Sequence, residues 1–392
     1  MIDLKILELL NAPTKAERLE NLGKVLETAD FPPMVDEYIN NHIHSTYSFS
    51  PYSPTAAVYA SRAEGLCTAG IIDHDSIAGA EEFLEAGKLV GIPVTIGMEC
   101  RVSMEGTPFA EKRTNNPDQS GVTYMTIQGV PHDKIAYMND WFAPYRAKRN
   151  ERTAKMVANI NKLLPDVALD FESDVVPLSQ FADGGGITER HLMYALAIKL
   201  VDKVGKGQAM VDFMPTIGIK LNPKQTAMML DLEYGFYEYD LLGFLKSTFV
   251  PQVYVKATEE CPKLADVVAL CKEVGAVLCY AYLGDVAESV TGDKKAQTFE
   301  DAYLDELFDC LKACGVPAIT YMPTRNTADQ LARVRGLCNK LGFFQVSGED
   351  INSPRQGFII EAMKNPLFAN LIDATWQLID WETGKKDFPF YK

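Results

Sequence analysis

Seven short apolar runs, separated by longer stretches with helical spacing, constrain the fold of this chain more than any other feature of its sequence. Runs of this kind predict β-strands, and the stretches between them predict helices. Strands that alternate with helices indicate a parallel α/β architecture, and their number favours a TIM-like barrel with its active site at the carboxyl ends of the strands. The runs cover residues 41–45, 69–74, 93–100, 123–130, 276–283, 316–322 and 343–348.

One interval between these runs is too long for a single crossover helix and divides the predicted barrel in two. Its sequence is mostly helical in pattern, so we predict an inserted, mainly helical subdomain. Near the start of the chain, Thr14 and Glu17 have the spacing of a capping box and predict a helix. We therefore divide the chain into an N-terminal helical extension (1–37), a barrel (38–132 and 271–362), a helical insert (133–270) and a C-terminal packing helix and tail (363–392).

Charge and hydropathy exclude several classes of partner. The chain has 38 basic and 53 acidic residues, a net charge of −15, so long DNA or RNA is not the expected main partner. No apolar run approaches the roughly 18 residues that cross a bilayer, and the first five residues do not resemble a signal peptide. We predict a cytoplasmic protein without a membrane partner; its oligomeric state stays open.

Other local patterns point to structure more than to chemistry. The eight cysteines form no CxxC pair, which indicates reduced thiols in the core. No phosphate-binding or dinucleotide-binding glycine motif follows a predicted strand. A basic cluster could be a nucleic-acid patch, but we interpret it as the solvated face of a helix. Its members are Arg146, Lys148, Arg149, Arg152 and Lys155.

Residues that bind metal ions end four of the predicted strands. His42 and His44 lie on one face of the first strand because strand side chains alternate in direction. His74, Glu99 and Asp350 end or follow three other strands. In a parallel barrel these positions converge at one face. Histidine and carboxylate ligands suit Zn, Mn or Fe, so we predict a divalent metal site. A hydrogen-bonded histidine pair and a helix N-cap at Asp75 are the structural alternatives.

These motifs also resemble the successive motifs of the PHP (polymerase and histidinol phosphatase) family. The similar segments cover about residues 38–130 and 270–360. The resemblance implies a distorted (β/α)7 barrel with up to three metal ions at its C-terminal face, and an enzyme that cleaves phosphoester bonds. Residues 186–192, within the predicted insert, are similar to a Gly-Arg-Pro-His segment of the branch that acts on nucleotides. The segments are Asn41-His42-Ile43-His44-Ser45, Gly70-Ile71-Ile72-Asp73-His74-Asp75-Ser76, Ile96-Gly97-Met98-Glu99 and Ser347-Gly348-Glu349-Asp350.

The resemblance implies a particular set of ligands, and some family ligands are replaced. His42, His44, Glu99 and Asp350 would form one complete site, and His74 would belong to a neighbouring site. Phe49, Tyr282 and Asn352 stand where the family has ligands, and residues 126–128 lack its histidine. We therefore expect one or two ions, not three. His132 is either a replacement ligand or a histidine of a surface turn.

Substrate phosphate requires further positive charge. Arg190 and His191 would lie in the first turn of a helix after a glycine-rich loop, where free amides favour an anion. Arg325 and Arg355 follow the sixth and seventh strands, and arginine matches phosphate geometry. Each of these arginines could instead be an ordinary solvated side chain.

The sequence thus predicts a metal-dependent phosphoesterase acting on a small phosphorylated molecule, such as a nucleotide or a sugar phosphate. The metal would lower the pKa of a water and neutralise the phosphoryl oxygens. Asp73 and His74 are the predicted catalytic residues, with Asp73 orienting a metal ligand. One alternative is a degenerate barrel that binds a ligand without catalysis, and another is a hydrolase of amides.

Overall fold

The fold is built on one seven-stranded sheet. A computed structural model describes residues 2–285 and 300–391 of the chain. The strands follow one another in the sheet in chain order, so each strand pairs with the next along the chain. Every predicted strand is confirmed. They are β1 (Val35–Ile43), β2 (Leu66–His74), β3 (Val94–Ser103), β4 (Val122–Gln128), β5 (Val277–Tyr282), β6 (Ala318–Tyr321) and β7 (Phe344–Ser347).

Strand β4 departs from the predicted parallel arrangement. It pairs antiparallel with both β3 and β5, while the other neighbouring strands pair in parallel. A parallel neighbour requires a crossover, usually a helix, and residues 104–121 between β3 and β4 contain no helix. The chain therefore turns back on itself, and Glu99 of β3 faces Thr126 of β4. The prediction of an all-parallel sheet was wrong at this strand.

The two edge strands approach each other at one end of the curled sheet. Beyond the end of β7, Ile351 forms a parallel bridge with Ile43. The Ile351 amide donates to the His42 carbonyl at 3.0 Å, and the His44 amide donates to the Ile351 carbonyl at 2.9 Å. These two bonds hold the segment with Asp350 against the segment with His42 and His44.

Thirteen α-helices lie in the described part of the chain. The Thr14–Glu17 capping box forms, with the Thr14 amide donating to Glu17 at 3.0 Å. The helices are α1 (Leu4–Leu10), α2 (Lys15–Leu26), α3 (Pro54–Ala63), α4 (Ala80–Val90), α5 (Ile135–Leu163), α6 (Glu189–Val204), α7 (Gln208–Phe213), α8 (Pro223–Leu230), α9 (Tyr237–Val253), α10 (Leu264–Val274), α11 (Leu304–Ala313), α12 (Ala328–Leu341) and α13 (Ala369–Glu382).

Two hydrophobic cores organise these elements. The larger core lies between the sheet and its surrounding helices, and the second is formed almost entirely by residues 156–253. Helix α5 belongs to both, because Met138 and Phe142 pack in the first core and Met156 and Ile160 in the second. The predicted division of the chain into segments, including an insert at 133–270, stays a prediction.

Helix α13 packs against the amino ends of the strands. The Glu382 carboxylate accepts a hydrogen bond from the Ile96 amide at 3.0 Å, and Leu378 packs beside β5. None of the helices that the structure describes has the length and apolar character to cross a bilayer. The predicted cytoplasmic location stays a prediction.

Candidate metal centre

The last part of β1 and β2, the middle of β3 and the segment after β7 bring the predicted ligands together, so Glu99 lies within its strand and not at the predicted strand end. We call His42, His44, His74, Glu99 and Asp350 the ligand cluster. Glu99 Oε2 lies 3.7 Å from His42 Nε2, 3.8 Å from His44 Nε2 and 3.0 Å from His74 Nδ1. Asp350 Oδ1 lies 3.2 Å from His44 Nε2. Ligands about 2.1 Å from a tetrahedral ion are roughly 3.4 Å from one another, so these distances suit a metal ion.

The hydrogen bonding of the cluster supports the same conclusion. His42 Nε2 and His44 Nε2 are buried and have no hydrogen-bond partner among the described residues. A buried polar atom without a partner is costly, and a metal ion would satisfy both nitrogens. Two overlapping groups can each hold an ion, one with His42, His44 and Asp350, the other with His44, His74 and Glu99. The residues therefore fit a divalent metal.

The carboxylates of the cluster are held in their charged form. Burial alone would raise the pKa of Glu99, but the neighbouring His74 and His42 outweigh it, and the pKa lies below its usual range. At Asp350 burial is likewise outweighed by contact with His44, and the pKa lies well below its usual value. Both side chains thus present oxygen atoms that can bind a cation.

Asp73 lies beneath the cluster and contacts two serines. Its Oδ1 accepts from the Ser45 amide at 2.7 Å and from Ser48 Oγ at 2.6 Å, and its Oδ2 accepts from Ser45 Oγ at 2.6 Å. Ser48 Oγ in turn lies 3.2 Å from His44 Nδ1. The predicted effect of Asp73 on a ligand therefore has a physical route through Ser48.

The ligand cluster opens into a cavity with both cationic and aromatic walls. His42, His74, Glu99 and Asp350 form one side of it. Arg190 of α6 and Lys246 of α9 also line it, so the helices of the second core contribute positive charge. The remaining wall is largely aromatic or apolar and includes Tyr124, Tyr282, Leu283, Tyr321 and Met322.

Of the four predicted substrate-binding residues, only Arg190 lines this cavity within the described chain. His191 is buried and its Nδ1 accepts from the Thr188 amide at 2.9 Å, which caps α6. Burial lowers its pKa to about 3. Arg325 Nε donates to the Leu283 carbonyl at 3.0 Å. The roles of these residues in substrate binding stay predictions.

Arg355 makes contacts of a different kind. Its guanidinium forms a two-point pair with Asp240 of α9, at 2.7 and 2.6 Å, and lies 4.0 Å from the centre of the Tyr234 ring. This arginine thus ties the segment after β7 to the helices of the second core.

The replaced family ligands take other roles in the structure. Phe49 is buried in the second core, with ring centres 5.0 Å from His191 and 5.4 Å from Tyr239. The Tyr282 hydroxyl donates to Asp301 at 2.6 Å. The side-chain amide of Asn352 donates to Asp350 Oδ1 at 2.6 Å and so orients this candidate metal ligand.

His132 lies away from the ligand cluster. It follows β4, which runs antiparallel and so ends near the amino ends of its neighbours. Its Nε2 is 3.6 Å from Glu382, and Glu382 bonds Ile96 near the start of β3. The structure therefore excludes the alternative in which His132 replaces a missing metal ligand.

The three arginines of the predicted basic face of α5 are buried, whereas Lys148 is part-exposed and Lys155 is exposed as predicted. Arg149 pairs with Asp75 and with Glu189, and Arg152 pairs with Glu189 and Glu260. Arg101 of β3 pairs with Glu260. These side chains are at most 15% exposed, so our interpretation of them as a solvated face was wrong. We call this the arginine cluster, with the members Arg101, Arg149, Arg152, Asp75, Glu189 and Glu260.

Sequence reasoning missed two residues of the site. Lys246 lies in α9 without any motif around it, so no local signal could have identified it. Ser48 was recognisable in principle, because it follows His44 by one turn in a serine-rich segment, residues 45–53.

Known proteins resemble this chain in sequence and in fold. Residues 40–173 match the family model described as the PHP domain. A stretch of 65 residues is 42% identical to a 5'-3' exoribonuclease of Haemophilus influenzae, covering 17% of this chain and 24% of that protein. The match thus spans about a quarter of the length of this curated relative.

Two solved structures share the fold. One, from Bifidobacterium adolescentis, is described as a metal-dependent phosphoesterase. Its sequence is 18% identical, its TM-score is 0.55, and the match covers 87% of this chain and 98% of that protein. The other, an amidohydrolase from Chromobacterium violaceum with bound sulfate and no metal, has the same identity and TM-score and covers 86% and 96%. The family model and the sequence motifs support the predicted family over residues 40–173, and the two solved structures show that the fold is shared. Residues 40–173 of this chain carry the PHP domain that the sequence motifs predict.

Proposed function

We propose that this protein is a metal-dependent phosphoesterase that hydrolyses a small phosphorylated molecule, such as a nucleotide or a sugar phosphate. The observation that carries the proposal is the cavity. Its metal ligands, Arg190 and Lys246 line the same space, so a phosphoryl group can meet a metal ion and two cationic side chains together. We propose further that the curled sheet functions as a (β/α)7 barrel with the helices of the second core as its insert.

Each part of the site has a distinct task in this proposal. His42, His44, Glu99 and Asp350 would hold the ion, which would be Zn, Mn or Fe and would lower the pKa of a water and neutralise phosphoryl oxygens. Arg190 and Lys246, which line the same cavity, would bind and orient the phosphoryl group.

The remaining groups would act on the ligands and on the leaving group. Asp73, through Ser48, would hold His44 in place. His74 borders the cavity and contacts Glu99, so it is the side chain placed to exchange a proton with substrate or solvent. The aromatic wall, with Tyr124 and Tyr321, would exclude water and cover the rest of the substrate.

The test is phosphate release by the full-length protein supplied with Mn²⁺ or Zn²⁺, over a panel of nucleoside monophosphates and sugar phosphates. We expect turnover of at least one class, and a loss of 100-fold or more in His42→Ala. His132→Ala is the matched control, because this histidine lies away from the cavity. Measuring amine release on amide substrates in parallel tests the amide alternative. A protein that binds metal and releases neither product would support the non-catalytic alternative.

A further inference from the structure

The state of His44 decides whether the centre can bind a metal. Its Nε2 lies within 3.8 Å of both Glu99 and Asp350, so this nitrogen is the one available to an ion. A neutral imidazole carries its hydrogen on one nitrogen and a lone pair on the other, and only the lone pair binds metal. The hydrogen must therefore reside on His44 Nδ1.

The number of hydrogen atoms on the groups around Asp73 determines which group donates in each hydrogen bond. Ser45 Oγ accepts from the Tyr47 amide at 3.2 Å, so its own hydrogen goes to Asp73 Oδ2. Ser48 Oγ lies 2.6 Å from Asp73 Oδ1, and a carboxylate can only accept, so the Ser48 hydrogen goes to Asp73. Ser48 Oγ then faces His44 Nδ1 only as an acceptor, and Nδ1 must carry the hydrogen.

We propose that Ser48 is a positioning residue that fixes the hydrogen of His44 on Nδ1 and so leaves the Nε2 lone pair for the metal. The inference rests on the proposed metal site but adds a residue and a role to it. His44, Ser48 and Asp73 are all at most 1% exposed, so water does not compete for these bonds. Changes to groups that orient metal ligands typically cost 10- to 100-fold in metal affinity.

The backbone around Ser48 is held by the second core. Phe49, the next residue, has a φ of 148°, which a residue with a side chain rarely adopts. Its ring is fixed between His191, Tyr194 and Tyr239 of α6 and α9. The amides of Ser48 and Phe49 both donate to the Ser45 carbonyl at 3.1 Å. The helices thus hold the turn that places the Ser48 hydroxyl between Asp73 and His44.

The first test determines which nitrogen of His44 carries the hydrogen. Nitrogen NMR of the metal-free protein, labelled at its five histidines and held at a pH at which His44 is neutral, distinguishes the two tautomers, and His44→Gln identifies the His44 signals. We expect the Nδ1–H form in the native protein and a shift toward the Nε2–H form in Ser48→Ala. An Nε2–H form in the native protein would overturn the proposal without any variant, and so would an unchanged tautomer in a folded Ser48→Ala.

The second test measures the affinity for Zn²⁺ by calorimetry. We expect a 10- to 100-fold weaker affinity in Ser48→Ala and recovery in Ser48→Thr, which keeps a hydroxyl. Ser61→Ala is the control, because Ser61 is equally buried but bonds only the Ala57 carbonyl of its own helix. Native affinity in Ser48→Ala would contradict the proposal. A native protein that binds no Zn²⁺ would defeat the proposed function, while the tautomer would still test the role of Ser48.

Discussion

Two buried polar clusters lie side by side in this protein and differ in the chemistry of their side chains. In the arginine cluster three guanidinium groups pair with three carboxylates. The ligand cluster, by contrast, brings imidazole nitrogens and carboxylate oxygens together in groups that can hold a divalent ion. Asp75 follows His74 directly, and Arg101 is two residues beyond Glu99, so the same strand ends supply both clusters.

The difference distinguishes a cluster that we expect to act in folding from one that we propose to bind metal. Buried charges that pair with one another need no further partner, and their loss should affect folding. Buried imidazoles and carboxylates that face one another can hold an ion, and their loss should affect metal binding more than folding. Burial alone does not make this distinction, because both clusters are buried.

The largest effect should come from breaking the arginine cluster. Glu260→Gln leaves Arg101 and Arg152 with one charged partner fewer in a buried site. We expect the free energy of unfolding to fall by about 3–5 kcal/mol, measured by urea denaturation. Glu151→Gln, at an exposed carboxylate that pairs only with Lys148, is the control. A loss below about 1 kcal/mol at Glu260 would show that the cluster is not structural.

A buried carboxylate with neutral partners should respond to pH. Glu300 accepts from the Tyr280 hydroxyl at 2.6 Å and from two backbone amides, and burial raises its pKa to about 7. Because this value lies above that of the unfolded chain, the contribution is complete below about pH 4.5 and is lost as the pH rises through 7. We expect stability to decline by up to about 3 kcal/mol.

The measurement is the difference in unfolding free energy between the native protein and Glu300→Gln from pH 4.5 to 8.5. Glutamine does not titrate, so the variant should lack this part of the decline. Parallel curves for the two proteins would contradict the raised pKa of Glu300.

In the ligand cluster, His44→Gln should leave the metal-free fold largely intact. We expect a change in unfolding free energy within about 1.5 kcal/mol without metal, because glutamine loses the contact with Ser48 but keeps an N–H donor for the Asp350 carboxylate. Mn²⁺ at 100 times its Kd should stabilise the native protein by about 2.7 kcal/mol but not the variant. Thermal unfolding with and without the ion measures both. If the metal-free variant failed to fold, His44 would be required for folding and not only for metal binding.

The smallest effect should occur one residue away from the arginine cluster. Lys148 is 41% exposed and pairs with Glu151 at 3.1 Å on the surface of α5. We expect Lys148→Ala to change the free energy of unfolding by less than about 0.5 kcal/mol, measured by urea denaturation. Arg149→Ala, at the adjacent position, should lower the free energy of unfolding much more. Equal losses at the two positions would contradict the contrast between the buried arginine cluster and the surface of α5.

Local patterns predicted the strands well, and the reason is physical. An apolar run with turn residues at its ends is a property of the strand itself, and all seven runs form strands. The direction of β4 is not such a property, because it depends on the connection before it. The approach of the candidate ligands could be predicted because neighbouring strands of one sheet converge, which brings Asp350 to His44 across some 300 residues of chain.

The arginine cluster could not be predicted in the same way. Arg149 and Arg152 have the helical spacing of a solvated face, and the sequence near them does not reveal what they contact. Arg152 meets Glu189, 37 positions away, and Arg101 meets Glu260, 159 positions away. Only the folded arrangement of β3, α5 and α6 makes these pairs visible. Lys246 was missed for the same reason.

The length of helix α5 affects how the protein unfolds. At 29 residues it is about 43 Å long and packs in both hydrophobic cores. Neither core can lose this helix without exposing apolar surface in the other, because the same hydrogen-bonded segment serves both. The two cores should therefore melt together, as a single cooperative unit, in a chain whose length would otherwise allow two independent transitions.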